Sequence, residues 1–142
     1  MDCAISVLLV DDHALLRKCL RRTLEDDPGL TVIGEASNGA EAVELARQLA
    51  PQVVVMDLAM PVMDGIEAAK HILRLAPATA ILMLSMSAEE MCVRNAFEAG
   101  AQGYLLKNAA DLDLSSAVKA VAMGKRVLDL GPTKRIPSRA GC

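Results

Sequence analysis

The sequence predicts an α/β fold: a doubly wound (βα)5 domain of three α/β/α layers, with a parallel sheet in the order 2-1-3-4-5. Three observations carry this. Short, β-branched, near-continuously apolar runs alternate with amphipathic segments, the pattern of strands covered on both faces by crossover helices. The 142 residues are 53% hydrophobic but only 1% aromatic, so a domain-sized core has to be built from Leu, Val, Ile, Ala and Met. The apolar runs also finish in polar residues, as expected where a ligand crevice lies outside the carboxyl ends of the strands.

Taken in order, the strand candidates are ISVLLV (5–10), LTVIGE (30–35), QVVVMD (52–57), TAILMLS (79–85) and GYLLK (103–107). Residues 14–26 put Leu16, Leu20 and Leu24 on one helical face. Residues 39–49 do the same for Ala42, Leu45, Ala46 and Leu49, starting through Asn38 with Glu41 three residues on. Residues 66–76 align Ile66, Ala69, Leu73 and Ala76. Ser87 with Glu90 reads as a capping box for a helix that stops at Gly100. A last helix, from about Asp111, stops at Gly124. From Lys125 onward periodicity fails, and Pro132, Pro137 and Gly141 mark a tail or linker. The expected division is a domain over 1–124 and a basic tail over 125–142.

Charge narrows the function classes. The net charge is −3, which argues against direct nucleic-acid binding by this chain. The balance is uneven: residues 1–124 carry 10 Lys/Arg against 17 Asp/Glu, or −7, and residues 125–142 carry 5 against 1, or +4. The simplest reading of the basic end is a solvated linker. The apolar start AISVLLV is broken at once by Asp11 and Asp12 with no basic residue before it, so neither a signal peptide nor a membrane span is expected. Cys3, Cys19, Cys92 and Cys142 show no CxxC spacing and read as reduced thiols; the expected compartment is the cytoplasm.

The strand ends carry the chemistry. Strand 1 ends in Asp11 and Asp12, strand 3 in Asp57, strand 4 in Ser85 and strand 5 in Lys107. In a parallel sheet these ends share one edge. Three carboxylates that close repel unless a cation or protons intervene, and Mg2+, a hard ion with oxygen ligands, suits them. Lys107 adds a fixed positive charge and Ser85 a hydroxyl. Together they suit a phosphoryl group on one carboxylate, where positioning and electrostatics supply most of the catalysis. Asp57, between the acidic pair and the Ser/Lys pair, is the natural acceptor.

These residues also carry a resemblance. LLVDDHALLRKCL, VVVMDLAMPVMDG, ILMLSMS and AGAQGYLLK resemble the signature blocks of response-regulator receiver domains, and the last is most similar to the NarL/FixJ-like (LuxR-type) subfamily. The match covers roughly residues 4–124. The resemblance implies a flavodoxin-like fold in which Asp57 accepts phosphate from a sensor histidine kinase. It implies that Asp12 binds Mg2+ directly and Asp11 through water, joined by Asp57 and the backbone carbonyl of Ala59. Lys107 would pair with phosphoryl oxygens, and Ser85 would move toward the phosphate, vacating space for Tyr104 to rotate. That switch would reshape the helix 4–strand 5–helix 5 surface, where a partner or a second copy docks, giving a homodimer on phosphorylation.

The same resemblance implies a signalling phosphoacceptor rather than an enzyme, with at most self-phosphorylation and self-dephosphorylation. Ala59 and Ser87, both small, are expected to leave the phosphate open to water. Two departures stand out: Asn108 follows Lys107 where many receivers carry proline, and nothing after Gly124 supports the helix-turn-helix domain that usually follows. The expectation is therefore a stand-alone receiver acting through protein contacts, or a regulator of transcription whose DNA-binding half lies outside this chain. An aspartyl-phosphate phosphatase is the reading from another class; such enzymes set a second acid where Ala59 stands.

Plainer readings stand beside these. Asp11 and Asp12 suit a solvated turn capping helix 1, Asp57 a helix-start residue, Ser85 local backbone satisfaction, and Tyr104 a half-buried strand position. Asp64, Gly65 and Pro61 read as structural turn residues. His13 is expected to face solvent at the start of helix 1, and His71 to lie on the polar side of helix 3 with no carboxylate near in sequence. Met56, Met60, Met63, Met83, Met86 and Met91 read as core fillers.

Overall fold

The computed structural model describes residues 4–107 and 113–129. Along the chain run β1 (Ile5–Val10), α1 (Ala14–Glu25), β2 (Leu30–Ala36), α2 (Gly39–Leu49), β3 (Val53–Asp57), α3 (Gly65–Leu75), β4 (Ala80–Ser85), α4 (Glu90–Glu98), β5 (Gly103–Leu106), α5 (Leu114–Ala122) and β6 (Val127–Asp129). The expectations for Cys3, Asn108, Asp111, Pro132, Pro137, Gly141 and Cys142 lie outside the described residues.

The sheet is parallel throughout, in the order β2-β1-β3-β4-β5-β6. The five predicted strands take their predicted order, and β6 is an addition within what read as tail. Three residues are too few for a periodicity to show. β6 is placed instead by long-range contacts: Val127 N–H donates to the Gln102 carbonyl (3.1 Å), the Gln102 amide donates to the Gly124 carbonyl (2.9 Å), and the Arg126 guanidinium lies 4.5 Å from the Phe97 ring centroid.

Strand side chains alternate between two cores. Leu8, Val10, Val54, Met56, Ile81, Met83 and Tyr104 face α2, α3 and α4. Val7, Leu9, Val53, Val55, Leu82, Leu84 and Leu105 face α1 and α5, meeting Leu20, Leu24, Leu114, Val118 and Val121. Most of these are fully buried, each contributing roughly 1.5–3 kcal/mol through lost apolar surface. Leu45 and Leu73 are partly buried, whereas Leu49 is exposed, so the α2 stripe ends one turn earlier than its spacing suggests. Of the methionines, Met56 and Met83 are buried and Met60 and Met63 partly so, but Met86 and Met91 are exposed rather than core.

Helix ends follow their polar residues. Asn38 caps α2, Asp64 caps α3 and Asp113 caps α5, each accepting the backbone N–H three residues on. Gly100 and Gly124 hold positive φ where α4 and α5 stop. The expected capping box on α4 does not form. The helix starts at Glu90, and Ser87 Oγ instead accepts the Glu89 N–H (3.1 Å) in a local turn. Ser87 is held within the β4–α4 loop, its N–H donated to Ser85 Oγ (3.0 Å) and its carbonyl accepting the Tyr104 hydroxyl (2.6 Å).

Candidate functional site

Alternation along the strands decides which polar ends meet. Asp11 and Asp57 continue the side-chain set of Val7/Leu9 and Val53/Val55, and Lys107 continues that of Leu105, so all three belong to the α1/α5 face. Ser85 and Tyr104 belong to the opposite set, with Ile81 and Met83.

The charged group is compact. Lys107 Nζ stands 3.2 Å from Asp57 Oδ2 and 3.2 Å from Asp11 Oδ2, with all three side chains nearly sealed from solvent. Asp57 Oδ1 accepts the Ala59 N–H (3.2 Å), and Asp11 Oδ1 accepts the His13 N–H (2.8 Å). Asp12 and His13 are more open. Gly65 lets the β3–α3 loop fold back against the strand: its N–H donates to the Leu58 carbonyl (2.8 Å), and a Cβ there would lie 2.7 Å from the Asp57 carbonyl oxygen. The same loop carries Val62 at φ +71° in a three-residue turn closed by the Met63 N–H on the Pro61 carbonyl (2.7 Å).

Burial pushes the Asp57 carboxyl above the usual range; Asp11 adds to the rise, while Lys107 and the Ala59 amide oppose it. For Lys107 burial pulls the ammonium down, but Asp57 and Asp11 outweigh it and leave it raised. The pocket thus holds one more negative charge than its lysine can offset. Asp11 Oδ2 is fully buried and accepts no hydrogen bond, although Lys107 lies at ion-pair distance. One ligand atom from each of Asp11, Asp12, His13 and Asp57 lies within 4.8 Å of the others. A surplus of carboxylate and an unbonded buried oxygen are compatible with Mg2+.

Ser85 and Tyr104 form a second, hydroxyl-bonded set around Ser87. Ser85 Oγ accepts the Ser87 N–H (3.0 Å), and Tyr104, fully buried, donates its hydroxyl to the Ser87 carbonyl (2.6 Å). Burial raises the Tyr104 phenol above its ordinary value, with the Ser85 hydroxyl acting the other way. Tyr104 is therefore a core residue rather than the half-buried one of the plainer reading. Its ring already occupies the inward position.

One histidine expectation holds and one needs correction. His13 is exposed at the start of α1 as expected, with 68% of its side chain open to solvent, and its Nδ1 also stands 3.2 Å from Asp12 Oδ1 and 3.4 Å from Asp11 Oδ1. His71 has a carboxylate four residues away, with Nε2 3.8 Å from Glu67 Oε2. The i,i+4 helical spacing carried that signal. For His13 there was none, because its ring turns back across the helix start.

Beside the pocket lies an open groove of about 470 Å³ lined by His13, Leu15, Leu16, Met86 and Lys107. Leu15 and Met86 are 76% and 64% exposed on its rim. No helix among the described residues is long and apolar enough to cross a membrane.

The family model for the response regulator receiver domain matches residues 7–119. The response regulator UvrY of Escherichia coli K12 is 44% identical over 124 residues, 87% of this chain and 57% of that protein. The transcriptional regulatory protein LiaR of Bacillus subtilis is 42% identical over 135 residues, 95% of this chain and 64% of that one. The chain thus spans less than two thirds of the length of these relatives. A LuxR-family two-component response regulator from Aurantimonas sp. SI85-9A1 superposes with a TM-score of 0.85 at 38% identity, covering 92% of this chain and 91% of that one. With the family model spanning most of the sequence and the strand order of the fold in place, this chain belongs to the response regulator receiver domains, in their NarL/FixJ-like branch.

Proposed function

We propose that this receiver accepts a phosphoryl group on Asp57 from the phosphohistidine of a sensor histidine kinase, and signals by changing its α4–β5–α5 surface. The observation that carries this reading is the placement of Asp57: a buried carboxylate grouped with Asp11 and Asp12, with Lys107 Nζ bridging it to Asp11 at 3.2 Å from each. In the transfer the histidine N–P bond breaks as an Asp57 O–P bond forms. Lys107 Nζ offsets charge on the phosphoryl oxygens, and the Ala59 amide holds the carboxylate's orientation. Asp11, Asp12, Asp57 and the Ala59 carbonyl would hold Mg2+, which when bound neutralises carboxylate and phosphoryl charge. The apolar-rimmed groove beside His13 fits a kinase helix that presents its histidine to the pocket.

The readout would run through the hydroxyl group of residues. Ser85 would turn from the Ser87 amide to the phosphate, while Tyr104, already inward and bonded to the Ser87 carbonyl, would hold the β4–α4 loop. Two such arrangements, biased by one added charged group, make a population switch. The output would be homodimerisation and, since LiaR is by name a transcriptional regulatory protein, control of transcription through a C-terminal helix-turn-helix domain outside this chain.

Incubation with acetyl phosphate and Mg2+, followed by intact mass, tests the chemistry. Wild type is expected to gain one phosphoryl group and Asp57→Ala none, with chelator suppressing the gain. A phosphoryl gain of equal size in Asp57→Ala would exclude Asp57 as acceptor.

A further inference from the structure

The imidazole of His13 has no part in the transfer described above, yet it is held against the pocket. His13 occupies the N-cap position of α1 in extended backbone, but its side chain makes no capping hydrogen bond. Its backbone is fixed on both sides, with the N–H on Asp11 Oδ1 (2.8 Å) and the carbonyl accepting the Arg17 N–H (2.9 Å). The Arg17 guanidinium in turn bonds the Asp11 carbonyl and Glu35 (2.8 Å). Anchored in this way, the ring brings Nδ1 to 3.2 Å from Asp12 Oδ1 and 3.4 Å from Asp11 Oδ1.

The four ligand atoms of Asp11, Asp12, His13 and Asp57 lie within 4.8 Å of one another. Donors around one ion stand at most about 4.2 Å apart, twice a bond of about 2.1 Å. Movements of a few tenths of an ångström would therefore close the set. A second observation points the same way: Asp11 Oδ2 is wholly buried in the same pocket and accepts no hydrogen bond, with only the Lys107 ammonium at ion-pair distance (3.2 Å). The chemistry of the donors then discriminates between ions. Oxygen ligands suit Mg2+ without distinction of site, whereas a neutral imidazole nitrogen adds affinity for borderline ions such as Co2+ and Zn2+ and little for Mg2+.

We infer that His13 Nδ1 is a further side-chain ligand of the cation in this pocket, giving the site a preference for nitrogen-accepting divalent ions that its carboxylates alone would not have. The inference rests on the reading of the pocket as a cation site. It assigns the ring a ligand role that is separate from phosphoryl transfer.

The experiment is calorimetric titration of the full 142-residue chain with Co2+ and with Mg2+ in the same buffer. Wild type, His13→Ala and His13→Asn are compared, and the Co2+ visible bands are recorded in parallel. Cys19 and Cys92 are free thiols, so only Co2+ displaced by excess Mg2+ is counted. The expected result is a loss of Co2+ affinity of about tenfold or more in His13→Ala against less than about threefold for Mg2+. His13→Asn, which keeps a donor toward Asp12, is expected to match His13→Ala, and both lose the nitrogen signature in the Co2+ bands.

Equal loss for the two ions, or wild-type Co2+ affinity in His13→Asn, would overturn the inference, because His13 would then act only by orienting Asp12. Failure of wild type to bind either ion would remove the cation reading itself, an outcome distinct from normal Mg2+ binding with no special response to Co2+.

Discussion

The two halves of the sheet's carboxyl rim are built on opposite principles. On the α1/α5 side, Asp11, Asp57 and Lys107 are locked by charge in a sealed pocket that holds more negative charge than it can balance. On the α3/α4 side, Ser85 and Tyr104 are held by hydroxyl hydrogen bonds to one loop. The first half stores an unfavourable charge arrangement that a cation or phosphoryl group would relieve. The second carries no such surplus of charge. A site that binds on one side and responds on the other needs this asymmetry.

The sharpest way to break the comparison is to remove the lysine. Lys107→Met leaves Asp11 and Asp57 buried without their cation, and loss of one partner of a buried ion pair costs about 3–5 kcal/mol. Urea unfolding without metal is expected to show a loss of that order, with Mg2+ restoring part of it. An unchanged midpoint would mean that the charged half is not strained in this way.

Asp57→Asn tests the same half with opposite sign. A carboxyl whose folded pKa is raised favours the folded state below its unfolded pKa, and that advantage is lost as pH rises through the folded value. Ionised Asp57 therefore costs stability at neutral pH. Asp57→Asn is expected to melt higher than wild type in chelator, by a few degrees for a gain of about 1 kcal/mol. The gap should narrow as pH falls through the carboxylate range and again when Mg2+ is added.

In the hydroxyl half the sign reverses. Tyr104→Phe keeps the buried ring but removes the bond to the Ser87 carbonyl, and is expected to cost about 1 kcal/mol, with faster amide exchange in the β4–α4 loop. Stabilisation by this substitution would contradict the picture of a half held by hydrogen bonds.

The smallest effect lies in the loop between the halves. Val62, 82% exposed at φ +71°, is a β-branched residue in a conformation that suits glycine. Val62→Gly relieves roughly 1 kcal/mol of strain, part of it offset by unfolded-state entropy, so a rise of about 0.5 kcal/mol is expected from urea midpoints at constant slope.

Much of this site was legible in local patterns. Asn38 and Asp64 announced helix starts, the apolar runs announced strands, and the polar residues ending those runs named the rim. What escaped were features whose cause lies in another part of the chain. The Ser87 box does not form; Ser87 lies in the β4–α4 loop, bonded to Ser85 and to Tyr104, seventeen residues on. β6 escaped because three residues carry no period and are placed by β5 and by Gln102. The His71–Glu67 contact, by contrast, is local: the two residues stand four apart on one helix.

By itself, then, the sequence determined the alternation of elements, the parallel order and the identity of the polar strand ends, because periodicity and capping are written in neighbouring residues. Only the tertiary structure decided how those ends divide: Lys107 between two carboxylates on one face, Ser85 and Tyr104 on the other, and the His13 ring turned back onto the acids. Strand register, burial and the field of distant charges make that division, and these arise only when separate segments pack together.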